Sequence, residues 1–325
     1  MSNKSDSVDS TPVAATVNRW AFAALLGGNL ALSLTALVVR FADTGPVAAG
    51  VWALSLPLPL LLMLMRRETG GRLPSPRALW IATGAGLFFA FDLAAWHLGI
   101  LQTKVANATL FGNSASLLLV IWGIMLSRKL PRGWQALAIF LAFAGSALLM
   151  GQSYEASAAY LVGDLLSLLA GALYTGYVLM MQRVRGEVGA WSALAISSGA
   201  GIPVLLVTAL ALGETILPHD WTPLLVLALM SQLVGQGLLI WALPRFSPLV
   251  VGLTLLVQPV VAAVAGWLVF GETLSLWEIF GGAMVAAALV LIRLPSRAAR
   301  PIWWSWPSPF PPIRHSTRFA LRSHR

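Results

Sequence analysis

The chain reads as an all-α integral membrane protein: ten transmembrane helices in two inverted five-helix repeats, with both termini cytoplasmic. Three observations predict this. Long apolar segments occupy most of the 325 residues, and charged residues make up only 10% of the composition. Basic residues fall almost entirely into alternate gaps between those segments. The chain also overlays on itself at a shift of about 144 residues, a spacing that suits an internal repeat.

The apolar segments lie near 20–40, 45–65, 78–100, 105–127 and 134–151, then near 160–182, 190–212, 222–242, 248–270 and 275–293. A run of about 20 apolar residues crosses a hydrocarbon core of about 30 Å as a helix; the fifth segment is the shortest. Backbone polar groups inside lipid must pair internally, so only helices or a closed barrel are possible. These runs are continuously apolar and do not alternate, which favours helices. A water-soluble bundle would need charged faces, against a usual charged fraction of about 25%.

With the N-terminus placed in the cytoplasm, 19 Lys and Arg residues fall on the cytoplasmic side and two, Arg40 and Lys104, on the other. Basic residues in short loops are retained in the cytoplasm, so ten spans give the clean split. The net charge of +9 is thereby a topology signal. No compact basic domain carries it, so nucleic acid is not an expected partner. There is no cysteine, hence no disulfide or thiolate site. Residues 1–17 are polar and Ser/Thr-rich and read as a disordered cytoplasmic terminus. The first apolar run lacks a small-residue cleavage site and reads as an uncleaved span. Residues 295–325 form a Pro/Trp/Arg-rich cytoplasmic tail, in which recurring Pro excludes a helix over the first part.

The repeat divides the chain into 18–151 and 160–294. At the shift, Gly27 falls on Gly171, Pro59 on Pro203, Asp92 on Gln236, Ser114 on Gln258 and Leu130 on Leu274. Each half holds five spans, and an odd number makes the second half enter the membrane from the opposite side. Inverted repeats characterise secondary transporters, with substrate bound where the repeats meet near the midplane.

Particular motifs carry a family likeness. Gln258-Pro259 is followed by Phe270-Gly271-Glu272-Thr273-Leu274 and then Gly281-Gly282. The first half offers Trp96-His97-Leu98-Gly99-Ile100 and Val105-Ala106-Asn107-Ala108-Thr109-Leu110. In these the chain resembles EamA-type members of the drug/metabolite transporter superfamily, over about residues 18 to 294. It departs at Ala115, where the family often has Pro, and at Ser127-Arg128, in place of Gly-Glu. The resemblance implies transport of a small organic metabolite, such as an amino acid, nucleotide derivative or vitamin, in a bacterial inner membrane. It leaves the cargo open.

Polar groups inside spans are costly and are functional candidates. Asp92 is the carboxylate set well inside a span, with Asp164 close to an end. An ionised Asp there costs about 2.5–3.5 kcal/mol, so it must face a cavity, pair or take up a proton. It is the candidate for proton coupling; the alternative is a structural hydrogen bond. Trp96, four residues on, shares its face and would offer an ammonium a cation–π contact, or else anchor at the outer interface. His97 lies about 140° around the helix from Asp92 and is expected to be a satisfied interfacial residue. Asn29, Ser33 and Arg40 share a stripe of the first span. Arg40 would either bind a carboxylate or snorkel to lipid phosphate.

Tyr174 and Tyr177 in the sixth span would either stack on a cargo ring or pack. Gln232 and Gln236 share a face of the eighth span, and Gln236 stands at the repeat position of Asp92. Asn107 and Asn113 of the fourth span and Gln258 of the ninth complete the candidate lining. Interhelical contacts of about 0.6 kcal/mol each are the alternative for these amides.

No P-loop, HExxH or GxSxG motif occurs, so neither ATP hydrolysis by a Walker site nor zinc or serine hydrolysis is expected. No metal or other cofactor is expected either. A membrane-embedded enzyme working through Asp92 and His97 is the rival reading; it would need more clustered carboxylates or histidines. The expectation is a secondary transporter with small-molecule cargo, lipid around it and protons as the candidate coupling ion, more readily an exporter than an importer.

Overall fold

The computed structural model describes residues 11–39, 41–103, 105–128, 130–131, 133–151, 157–270 and 275–292. Arg40, Lys104, the 271–274 part of the second-half motif and the tail lie outside the described residues.

Every described element is helical. The first is α1 (Thr11–Val39). It begins inside the stretch expected to be irregular, because Pro12 suits a first turn and Ala14 and Ala15 favour helix. Then come α2 (Pro46–Ser55), α3 (Leu58–Thr69), α4 (Pro76–Ile100), α5 (Val105–Gly112), α6 (Ser114–Ser127) and α7 (Gly133–Gly151). The second half holds α8 (Leu161–Val184), α9 (Ala190–Ala211), α10 (Thr222–Ala228), a π-helical stretch Leu229–Gln236 and α11 (Gly237–Ala242). It closes with α12 (Pro248–Leu255), α13 (Val257–Phe270) and α14 (Leu276–Leu291). Among the described residues, 7 stretches are long and apolar enough to cross a membrane: 46–69, 76–100, 107–127, 158–184, 190–211, 222–245 and 248–269. Gly133–Leu149 and Leu276–Leu291 are shorter apolar helices.

Several spans are broken where the sequence removes a hydrogen bond. Pro59 has no N–H for the Ser55 carbonyl, and α2 ends at Ser55. Pro259 stands in the same relation to Leu255, the last residue of α12. No proline stands at the break between α5 and α6; there the Thr109 carbonyl accepts both the Asn113 side-chain amide at 2.8 Å and the Asn113 backbone N–H at 3.1 Å.

The two halves pack on each other crosswise. α4 packs on α8, and α1 packs on the π-helical stretch and α11. α1 and α8 are related by the shift, as are α4 and the 222–245 span, so these two contacts correspond. α2 and α3 pack on α9, α6 on α12, and α7 on α14. Small residues permit the close crossings, as is usual for membrane helices. A Cβ on Gly28 would come within 2.8 Å of the Gly235 carbonyl oxygen, so only glycine fits there.

Carboxylates clasp the second and seventh spans at both ends. The Glu214 carboxylate accepts from the backbone N–H of Ala48 at 2.7 Å and of Val47 at 3.3 Å, capping α2. Glu68 accepts from the N–H and hydroxyl of Ser192 at 2.8 and 2.7 Å, capping α9. The residues at the two N-caps are Gly45 and Gly189, which coincide at the repeat shift. A side chain at either would occupy the carboxylate's place. Each helix start thus leaves its own cap empty and takes an anion from the other half, which also suits the helix dipole.

Large apolar side chains such as Trp80, Phe91, Phe140, Leu165 and Trp267 are exposed around the outside. An outward apolar surface of this extent suits lipid and not water. The basic end of the bundle is tied by Arg77 to Glu187 at 3.5 Å and by Arg185 Nε donating to the Ile240 carbonyl at 3.2 Å. At the opposite end the N–H of His219 donates to Asp43 at 2.7 Å, and Trp52 Nε1 donates to the Ile216 carbonyl at 2.6 Å.

Candidate functional site

The crossing of α4 and α8 against the π-helical stretch brings together four of the residues singled out in the sequence. α4 presents Phe89 and, three residues on, Asp92. α8 presents Tyr174 and Tyr177, also three apart and so on one face. The Phe89 and Tyr177 rings stack with centroids 4.7 Å apart at 25°, and the Tyr174 ring lies 5.7 Å from Tyr177. The Tyr177 hydroxyl donates to Gln236 Oε1 at 2.9 Å. Tyr174 faces the same amide, and Asp92 lies within electrostatic reach of both phenols.

Asp92 differs from its neighbours. It is half-buried, whereas Tyr177 and Gln236 are 1% exposed. Among the described residues its carboxylate has neither a hydrogen bond nor an ion pair. A carboxylate inside a span and without a protein partner is costly to keep ionised and calls for neutralisation. An ammonium group or a proton would do this. The aromatic faces beside it favour a cation, and the phenols and amide supply donors and acceptors for a polar ligand. The π-helical stretch ends at Gln236. Its wider turn leaves carbonyls without the usual helical partner, a form of backbone common at functional sites.

The other candidates form separate groups. Asn29 is fully buried; its amide donates to the Leu25 carbonyl at 2.9 Å and to the Thr254 hydroxyl at 3.5 Å. It accepts from Gln258 Nε2 at 3.0 Å, so these residues join α1 to α12 and α13. Gln232 is buried and accepts from the Ser198 hydroxyl at 3.4 Å. Asn113 bonds within its own helix, as described above. Trp96 lies edge-on to His97, with centroids 5.2 Å apart. His97 is buried with Nδ1 2.7 Å from the Leu93 carbonyl oxygen. Arg40 lies outside the described residues.

Asn107 is drawn away from the centre. Its amide donates to Asp164 Oδ1 at 3.2 Å and to Oδ2 at 3.4 Å, and the Thr103 hydroxyl donates to Oδ1 at 2.6 Å. This group, at the start of α8, is one that residue-by-residue reading does not assemble. Its signal is an acid opposite an amide at the repeat-facing ends of two spans. Phe89 was likewise legible only as an aromatic one turn before Asp92. Among the described residues no three His, Asp or Glu side chains gather as metal ligands.

Comparison with known proteins agrees with this architecture. The threonine/homoserine exporter RhtA of Escherichia coli K12 is 28% identical over 273 residues, 74% of this chain and 91% of its own. The pseudopaline exporter CntI of Pseudomonas aeruginosa is 25% identical over 265 residues, 80% of this chain and 90% of its own. A transporter of Archaeoglobus fulgidus is 22% identical over 81% of this chain and 96% of its own. A solved crystal structure superposes on 88% of this chain and 99% of its own with a TM-score of 0.68 at 16% identity, which shows a shared fold. Residues 161–294 match the EamA-like transporter family. The second half of the chain thus matches the EamA-like transporter family, and named exporters align with the chain along most of its length, as suits a multi-pass membrane transporter.

Proposed function

We propose that this protein is a secondary exporter of a small amine-bearing metabolite, of the amino-acid class, working by alternating access in a bacterial inner membrane. The observation that carries the reading is the Asp92 carboxylate, without a hydrogen bond or ion pair among the described residues, within electrostatic reach of Tyr174 and Tyr177, whose cluster includes Phe89 and Gln236. The cargo's ammonium sits on Asp92 against the aromatic faces, and its polar remainder meets Gln236 and the phenols. Threonine and homoserine, the cargo in one relative's name, have this chemistry. Protons compete with the ammonium for the same carboxylate, so inward proton movement drives export.

Ten spans in two inverted repeats, with cytoplasmic termini, complete the proposal. The corresponding α4–α8 and α1–α11 contacts and the paired Gly45 and Gly189 caps support it, as does the placement of basic residues at one end. The direction follows the exporter names of the relatives.

The test is a pH-sensitive dye trapped in proteoliposomes, with threonine, homoserine and other amino acids offered in pools. Wild-type protein is expected to move protons only with an amine-bearing pool, and Asp92→Asn to move none. Proton-independent exchange of labelled amino acid by a folded preparation, unchanged in Asp92→Asn, overturns the coupling role. Transport confined to pools without an amine overturns the cargo class.

A further inference from the structure

A groove of about 550 Å³ opens at the far end of α8 from the basic residues, away from the central cluster, and its lining includes Phe111, Leu161, Asp164, Leu165 and Leu168. Positions 161, 164, 165 and 168 follow the helical spacing of one face. Leu161, Leu165 and Leu168 are exposed on the outside of the bundle, where the solvent is acyl chain. Asp164 is 9% exposed and belongs to the first turn of α8, and the end of a spanning helix is where headgroups are expected.

The bonding of Asp164 is incomplete in charge. Oδ1 takes the short bond from Thr103, and Oδ2 accepts only from Asn107 at 3.4 Å. Both donors are neutral. Among the described residues no Lys, Arg or His pairs with the carboxylate. The α8 N-terminus moderates the charge but supplies no counter-ion. A buried carboxylate beside a lipid-facing apolar groove calls for a ligand with an ammonium at one end and a hydrocarbon chain at the other.

We infer that this groove binds one phospholipid with a primary ammonium headgroup, the ammonium on Asp164 and an acyl chain along Leu161, Leu165 and Leu168. A primary ammonium brings N–H donors to the carboxylate, and a quaternary one has none. The site therefore selects phosphatidylethanolamine over phosphatidylcholine of the same chains. It is independent of the transport reading and requires only that α8 crosses the membrane.

Native mass spectrometry of the delipidated full chain, titrated with the two lipids at matched acyl chains, tests this. One phosphatidylethanolamine is expected to remain bound, with a preference of roughly tenfold, the size of one added charge-assisted bond. Asp164→Asn keeps an acceptor for Thr103 and is expected to remove the preference. Leu168→Trp fills the groove from its lipid side and is expected to lower the occupancy of both lipids, which decides the matter if Asp164→Asn does not fold. Equal binding of the two lipids by wild type, or a preference that survives both variants, overturns the proposal. So does a preference seen only in Lys104→Gln, which would mean that the chain's own ammonium fills the site. Displacement of the lipid by free threonine at equal concentration would assign Asp164 to cargo and overturn it as well.

Discussion

Two carboxylates lie along the α4–α8 contact, and they are provided for in opposite ways. Asp164 receives three hydrogen bonds from Thr103 and Asn107. Asp92 receives none among the described residues, although the phenols of Tyr174 and Tyr177 lie within electrostatic reach of it. The phenol of Tyr177 is spent on Gln236 instead. A carboxylate hydrogen-bonded by the fold holds helices together, even where its charge is left for a lipid ammonium to balance. One without such bonds contributes less to holding them. The difference lies in the donors that each carboxylate receives, since both residues are aspartates on packed helices.

The sharpest way to break this comparison is to neutralise each acid in turn. Asp92→Asn is expected to reduce proton-coupled transport by about two orders of magnitude, the loss of a charge-assisted contact of about 2–3 kcal/mol, while melting near wild type. Asp164→Ala is expected to do the reverse in kind: a lower melting temperature, as Thr103 and Asn107 lose their acceptor. Similar transport loss in both, with no difference in melting, removes the distinction.

Next in size is Tyr177→Phe, which leaves Gln236 Oε1 buried without its 2.9 Å donor. The expected cost is about 0.6–1.7 kcal/mol, the range for interhelical bonds in membranes, read as a lower midpoint in thermal unfolding in detergent. If the freed amide instead turns to Asp92, transport changes its pH dependence without a loss of stability. That outcome would show the two groups to be one network.

The clasps of the second and seventh spans refine the contrast between carboxylates that cap helices and Asp92, which bonds to none among the described residues. Gly189→Ala places a methyl group where the Glu68 carboxylate sits and is expected to cost about 0.5–2 kcal/mol, the worth of a helix cap. Gly45→Ala is expected to act alike at Glu214. Transport should fall no further than the folded fraction does, which a paired binding and melting measurement would show.

The smallest effect concerns pH. The backbone N–H of His219 donates to Asp43 and, with that of Asp220, holds its carboxyl below the usual range against an opposing desolvation. A lowered folded value means that its contribution is present above the ordinary carboxylate range and is lost as pH falls through the lowered one. The difference in melting temperature between wild type and Asp43→Asn is therefore expected to be constant near neutrality and to close only in acid. A difference that closes around neutral pH would assign it to another group, His219 first.

Much of the central site was legible beforehand because its signals are local. Asp92 stands out as an acid in an apolar run, Tyr174 and Tyr177 as polar aromatics one turn apart, and Gln236 as the repeat counterpart of Asp92. Asn107 was legible as a polar residue in a span but not as a partner of Asp164. That assignment depends on how far α5 reaches along α8, a distance across 57 positions of chain. The glycine caps escaped notice for a related reason: a glycine before a helix is common, and the carboxylate that makes it matter comes from the other half.

The sequence by itself determined the membrane class and the helical, apolar character of its segments. Transfer of an apolar run into lipid is a sum over adjacent residues, and basic residues in gaps act where they stand. Tertiary structure decided which polar groups meet, which donor each acceptor receives and which carboxylate remains open. Those outcomes turn on hydrogen-bond distances of a few tenths of an ångström between helices remote in the chain, set by small-residue crossings and helix breaks that no local sum contains.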